Sequence, residues 1–138
     1  MNGLKVFTLE EANQMLPKLS ELLVEIQTKR NQVSQIETEI DILELITDQE
    51  QIDNNVQMND LIGKHRIFVA QFYSLVDQIH SHKCFLKDVD LGVLDFYGTV
   101  DGRMVYYCWR VGEGKIHFWH EIGQNYSQRQ PLFEEKNP

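Results

Sequence analysis

Apolar residues recur at three- and four-residue spacings up to Lys83 and at two-residue spacings beyond it, and that change of period marks the architecture. From Leu9 the positions Ala12, Leu16, Leu19, Leu23, Ile26, Val33 and Ile40 form a heptad seam, interrupted by Arg30 and Glu37. Thr8-Leu9-Glu10-Glu11 is a capping box that starts this helix, with Phe7 placed to staple it. Pro17 has no N–H to donate, so the pattern predicts a kink or a restart there. The helix should fade near Ile46, where Thr47 and Asp48 offer the next cap. A second helical pattern, from about Ile52 to Lys83, has the seam Met58, Ile62, His65, Val69, Phe72, Val76 and Ile79. Gly63 weakens it by roughly 1 kcal/mol against alanine. The polar connector Gln49–Val56 reads as loop or frayed helix, and Met1–Phe7 as a short lead able to add an edge strand.

These patterns predict an antiparallel helical hairpin over residues 8–83. A lone hairpin buries one seam, so its other faces call for a sheet or a second copy of the chain. The expected assembly is a homodimer built on paired hairpins.

Residues 91–122 read as a three-stranded antiparallel β-meander, followed by a tail over 123–138. Asp101-Gly102 signals a two-residue hairpin turn, which pairs Tyr97 with Tyr106, Phe96 with Tyr107, Asp95 with Cys108 and Leu94 with Trp109. A second turn at Gly112–Lys115 pairs Val111 with Ile116, Trp109 with Phe118, Cys108 with Trp119 and Tyr107 with His120. In this register the core side holds Leu94, Phe96, Val105, Tyr107, Trp109, Val111, Ile116, Phe118 and His120. The outer side holds Val93, Asp95, Tyr97, Tyr106, Cys108, Arg110, His117, Trp119 and Glu121. The fold class is therefore α+β, a helical hairpin packed on the meander in a single domain.

Charge narrows the partners. The formal net charge is −8, and seven acids with no base lie between Glu37 and Asp53. Such a surface repels phosphate backbones and anionic lipid, which argues against nucleic acid and membrane. No basic segment leads into an apolar stretch at the start, and no transmembrane run exists, so a cytoplasmic location is expected. Cys84 and Cys108 make neither a disulfide framework nor a zinc spacing and are expected to be reduced, partly buried thiols.

The chemistry-bearing residues each have a plain structural reading. His65 falls on a helical seam and is expected to be a satisfied interior histidine, while His80 and His82 point in different directions on a helix. Asp88-x-Asp90-x-Gly92 lacks the later oxygen ligands of a calcium loop, with Thr99 where a glutamate belongs, so these aspartates should make turns. Lys87 is expected near the last carbonyls of the second helix, and Arg103 as a turn anchor or surface charge. In the register above Cys108 faces outward and His120 inward, which rules out a cysteine–histidine nucleophile. His117, His120 and Glu121 cannot converge on a metal because strand neighbours point to opposite faces. No metal and no cofactor are expected, and His120 should be a buried, hydrogen-bonded residue beside Tyr107.

The runs FLKDVDLGVLDF, GR, CWRVGE and WHE, with FTLEEANQMLP upstream and Arg129-Gln130-Pro131 downstream, resemble a bacterial family catalogued as domain of unknown function number two thousand two hundred and three. The resemblance covers most of the chain. It implies a small cytosolic protein and brings no established activity, substrate or cofactor.

Two functions fit. The first is a non-catalytic interaction or scaffold module that self-associates through its helices. Its outer sheet face, with Asp95, Tyr97, Tyr106, Arg110, His117, Trp119 and Glu121, would meet a protein partner. Arg110 would then reach Asp95 diagonally, with Tyr126, Leu132 and Phe133 of the tail available to cover Trp119. The second is a small-ligand-binding protein or enzyme with its site between sheet and helices, lined by Lys87, Asp88, Tyr107 and His120. A polar pocket there favours the second function; a filled core with exposed outer aromatics favours the first.

Overall fold

Thr8 caps the first helix as its sequence predicts. Its N–H donates to Glu11 Oε1 at 2.8 Å, and its Oγ1 accepts from the Glu11 N–H at 3.1 Å. The computed structural model describes residues 4–48, 51 and 55–133. It contains helices α1 (Leu9–Ile46) and α2 (Val56–Ser81) and strands β1 (Phe85–Asp88), β2 (Val93–Val100), β3 (Arg103–Arg110), β4 (Phe118–His120) and β5 (Gln130–Pro131). α1 continues through Pro17 as one helix, so the predicted restart does not occur. Asn55 caps α2, its Oδ1 accepting from the Met58 N–H at 2.9 Å. Most of the connector predicted at Gln49–Val56 lies outside the described residues, as does Met1–Gly3 of the predicted lead. No helix among the described residues is long and apolar enough to cross a membrane.

The chain divides into two compact units, residues 25–76 and residues 1–24 with 77–138. In the first of these, Ile36, Leu43, Met58 and Leu61 make one buried cluster, with Ile40 and Phe68 packed against it. Lys29 Nζ lies 4.8 Å from the Phe68 ring centroid. His65 is half-buried, its Nε2 3.8 Å from Glu37. The buried line of α2 is Met58, Leu61, Leu75 and Ile79, not the predicted line through Ile62, Val69 and Val76. The reason is visible in the sequence: Leu61-Ile62, Phe68-Val69 and Leu75-Val76 are adjacent apolar pairs, offering two stripes one residue apart. Packing partners choose between them, and periodicity alone does not.

The second unit carries the sheet. It has five antiparallel strands in sequential order, β1-β2-β3-β4-β5, where the sequence predicted three. Strand β1 lies between the predicted hairpin and the predicted meander, in residues assigned to neither, and β5 within the segment read as tail. Asp101 and Gly102 both have positive φ, 52° and 79°, which is the tight hairpin turn their sequence predicts. The β2–β3 register follows: Tyr97 faces Tyr106, Phe96 faces Tyr107, Asp95 faces Cys108 and Leu94 faces Trp109.

The β3–β4 register departs from prediction by one residue. Tyr106 pairs with His120, Tyr107 with Trp119 and Cys108 with Phe118. The loop between these strands is longer than four residues and is held by its own bonds. The Arg110 N–H donates to Glu113 Oε1 at 2.7 Å, Trp109 Nε1 donates to the Gly114 carbonyl at 2.8 Å, and the Ile116 N–H donates to Asn13 Oδ1 at 2.8 Å. A loop satisfied in this way needs no Val111–Ile116 pair, and β4 slides accordingly. The slip exchanges the faces of β4. Trp119 joins Leu94, Phe96, Val105, Tyr107 and Trp109 on the side where Phe7 meets Phe96 edge-on at 5.3 Å. His120 and Phe118 join Asp95, Tyr97, Tyr106 and Cys108 on the other.

Candidate functional site

The face that carries His120 is not solvated, as an outer face would be. A strap formed by residues 121–131 crosses it. Its 3-10 turn, Tyr126–Gln128, is closed by a capping box in which Asn125 and Gln128 satisfy each other's backbone N–H groups. The Arg129 guanidinium holds Glu113 through two bonds of 2.9 Å, with its carbon 4.2 Å from the Phe118 ring centroid and 4.1 Å from that of Tyr126. Arg110 Nη1 donates to the Tyr126 hydroxyl at 3.1 Å. β5 then pairs with Phe118 and Trp119 of β4. Of the tail residues expected to cover Trp119, Tyr126 instead packs against Arg110 and Arg129 on this face, Leu132 is half-buried and Phe133 is exposed.

Under the strap, three strands each contribute one ionisable side chain. Asp95 from β2, Cys108 from β3 and His120 from β4 are all at most 1% exposed. One ligand atom from each lies within 4.8 Å of those of the other two. His120 Nδ1 is 2.9 Å from the Glu121 carbonyl oxygen, which can only accept, so Nδ1 carries a proton. His120 Nε2 is 3.0 Å from Asp95 Oδ2, and one further proton bridges that contact. The other carboxylate oxygen, Oδ1, is buried with no hydrogen-bond partner. Burial raises the pKa of Asp95, against the pull of His120, the Cys108 thiol and Lys87. Burial, then the charge of Asp95, pushes the Cys108 thiol well up, and Arg129 offsets this only in part. Cys108 is therefore held as a thiol, and both ring nitrogens of His120 are already engaged. The slip removes the argument that Cys108 and His120 lie on opposite faces, but protonation and bonding still oppose a cysteine nucleophile.

Asp95 lines a cleft of about 520 Å³ together with Lys87, Asp88, Leu91, Val93 and strap residues 124–127. A bulge in β1 sets Lys87 and Asp88 together opposite Val93. Lys87 Nζ sits 4.8 Å from the Tyr106 ring centroid and 5.5 Å from that of Phe85, away from the helix-end role predicted for it. Asp88 makes the expected turn, accepting the Leu91 N–H at Oδ1 at 2.8 Å.

The predicted site residues are thus redistributed. Of the expected outer face, Asp95, Tyr97, Tyr106 and Arg110 share one side; Tyr97 and Tyr106 stack at 4.8 Å and join hydroxyls at 3.2 Å. Arg110 goes to Tyr126, not to Asp95. His117 is exposed in the loop. Trp119 is 8% exposed on the opposite side, under the Arg103 guanidinium, and Arg103 pairs with Glu121. The expected row of Asp95, Cys108 and Trp119 does not form. Of the alternative pocket, Lys87 and Asp88 line the cleft and His120 stands beside Asp95. Tyr107 lies on the other face, its hydroxyl donating to the Thr99 carbonyl at 2.9 Å. His120 is buried and hydrogen-bonded as expected, but its aromatic neighbour is Tyr106, at 5.4 Å.

Sequence reasoning missed the strap residues Gln124, Asn125 and Ser127 and the Glu113–Arg129 pair. A signal for the first existed: Asn125-x-x-Gln128 has the capping-box spacing in a segment read only as tail. The second joins residues sixteen apart and leaves no local pattern.

The chain matches the family DUF2203, described as an uncharacterized conserved protein, over residues 5–132, and belongs to it. No curated protein and no solved structure matches it.

Proposed function

We propose that this member of an uncharacterised family is a small-ligand-binding protein whose site is the cleft between the sheet and its C-terminal strap. The observation that carries this reading is Asp95 Oδ1: a buried acceptor without a donor, in a residue that lines the cleft. Leaving such a group unpaired costs about 1–3 kcal/mol, and a bound donor recovers it. The ligand is accordingly one that presents an N–H, an O–H or positive charge to Asp95, with Gln124, Asn125 and Ser127 supplying polar contacts along the strap. The cleft lies away from the helices, unlike the pocket expected between sheet and helices. The interaction-surface reading loses support, since Tyr106 and Trp119 are each 8% exposed and offer no aromatic patch. Native mass spectrometry of gently purified protein, with a thermal-shift panel of small amines and amides, tests the proposal. Ligands should raise the melting temperature of the native chain and of Lys5→Ala, and not of Asp95→Asn. A panel that shifts native protein and Asp95→Asn alike removes Asp95 from the binding role.

Self-association through the helices is a second reading, favoured by a specific observation. In residues 25–76, Ile42, Leu45, Ile46, Val56, Ile67 and Tyr73 are each more than half exposed. A second copy would bury such residues at little cost in specificity, and the cytosol would keep both cysteines reduced.

A further inference from the structure

We infer that Asp95, Cys108 and His120 form a binding site for a divalent transition metal of the zinc class, the metal being the positively charged ligand that the cleft reading calls for. The donor set is one carboxylate oxygen, one thiolate sulfur and one imidazole nitrogen, a mixture that suits zinc, and cobalt as its spectroscopic substitute. The spacing suits it too. Donors bound at about 2.0–2.3 Å in a tetrahedral site stand roughly 3.3–3.8 Å apart, and here the three atoms lie within 4.8 Å of one another. A small inward movement of buried side chains closes that difference.

Three further observations point the same way. His120 Nδ1 already donates to the Glu121 carbonyl, which turns Nε2 toward Asp95; a ligating histidine is usually oriented by such a bond. Asp95 Oδ1 has no partner, so the carboxylate can take a metal without surrendering an existing bond there. Asp95 also lines the cleft, which gives an entry path and leaves a fourth coordination position open to water or a small ligand. Of the cations acting on the cluster, Arg129 has both arms bonded to Glu113, and Lys87 lies over the Phe85 and Tyr106 rings at the cleft.

The charge balance is closed. Metal-free, the cluster holds one proton on the Cys108 sulfur and one between His120 Nε2 and Asp95. On binding, both protons leave to solvent and the metal–sulfur, metal–nitrogen and metal–oxygen bonds form. The sum is two negative charges against one doubly charged ion, so a buried site stays neutral throughout.

The test uses the full chain, without a histidine tag and reduced, titrated with cobalt(II) chloride alone. One cobalt per chain should bind, with a thiolate charge-transfer band in the near ultraviolet and tetrahedral visible bands, and zinc should displace it. Cys108→Ser should lose the charge-transfer band, and Asp95→Asn and His120→Gln should weaken binding by about tenfold or more. Should these variants fail to fold, X-ray absorption of the zinc-loaded native chain decides, with a sulfur scatterer expected at about 2.3 Å. No cobalt binding by native protein, or a zinc shell without sulfur, overturns the inference. If amines still bind through Asp95 in that case, the cleft reading stands without the metal. If metal binds and no organic ligand does, the cleft is an access path only.

Discussion

The carboxylate of Glu113 grips both arms of the Arg129 guanidinium at 2.9 Å, reaching from the loop after β3 to the residue just before β5. The same carboxylate accepts the Arg110 N–H, so one side chain closes its own loop and pins the strap. Arg129 is 11% exposed and Glu113 22%, which places the pair well inside the regime where partners matter. Arg129→Ala should cost about 1.5–3 kcal/mol in urea unfolding. It should also raise the reactivity of Cys108 toward a thiol reagent by unroofing it. Unchanged thiol protection would show that β5 alone holds the strap.

Acid should act on the same link. Burial alone would raise the pKa of Glu113, but the Arg129 hydrogen bonds, the Arg110 N–H and the charges of both arginines overcome it and hold the group below its ordinary 4.5. A carboxylate lowered in the folded state contributes stability above its unfolded value and loses it as pH falls through the folded value. Glu113→Gln should therefore be less stable than the native chain at neutral pH, with the gap closing as pH falls below the ordinary carboxylate range and through the lowered folded-state value. Urea midpoints at several pH values check this, and a gap that persists in acid contradicts it.

His120 and Asp95 are a buried pair joined at 3.0 Å. Removing one partner strands the other, so His120→Ala should cost about 3–5 kcal/mol. Replacing both with apolar residues, Asp95→Leu with His120→Phe, should recover most of that loss. Equal damage from the single and double variants would mean that shape, and not charge, governs the position.

Gly98, in β2, has a contact that forbids a side chain. A Cβ there would lie 2.1 Å from the Tyr107 ring. Gly98→Ala should destabilise by about 1–3 kcal/mol. The loss should shrink in the background of Tyr107→Leu, which vacates the ring position. Thermal melts of the two singles and the double decide it.

If the exposed apolar residues of the helices meet a second copy, light scattering on a sizing column should give twice the chain mass. Leu45→Lys with Ile67→Lys should return the monomer without lowering its melting temperature. A native monomer across micromolar concentrations would exclude self-association.

Much of this was legible in the sequence, for reasons that differ by element. The Thr8 cap and the Asp101-Gly102 hairpin are local rules, satisfied within a few residues, and the β2–β3 register follows from the second. The α2 stripe was ambiguous because adjacent apolar pairs permit two faces. The β4 register depended on Asn13, which binds Ile116 from another part of the chain, and on Glu113 and Gly114, whose loop bonds no periodicity reports. The candidate site was therefore legible in its parts, since Asp95, Cys108 and His120 were all singled out. Their convergence was not, because it hangs on that single step of register.

The meander order carries a kinetic consequence. Every strand pairs with its neighbours in sequence, so the sheet can zip up hairpin by hairpin without long loop closures. The register predicted from sequence and the observed one would form nearly the same amount of sheet between β3 and β4. Far-ultraviolet dichroism would scarcely separate them. Only one delivers an imidazole to the waiting carboxylate of Asp95, whereas the other buries that charge alone. If the polar cluster selects the strand alignment, refolding of His120→Phe should populate a misaligned, compact species before the native one.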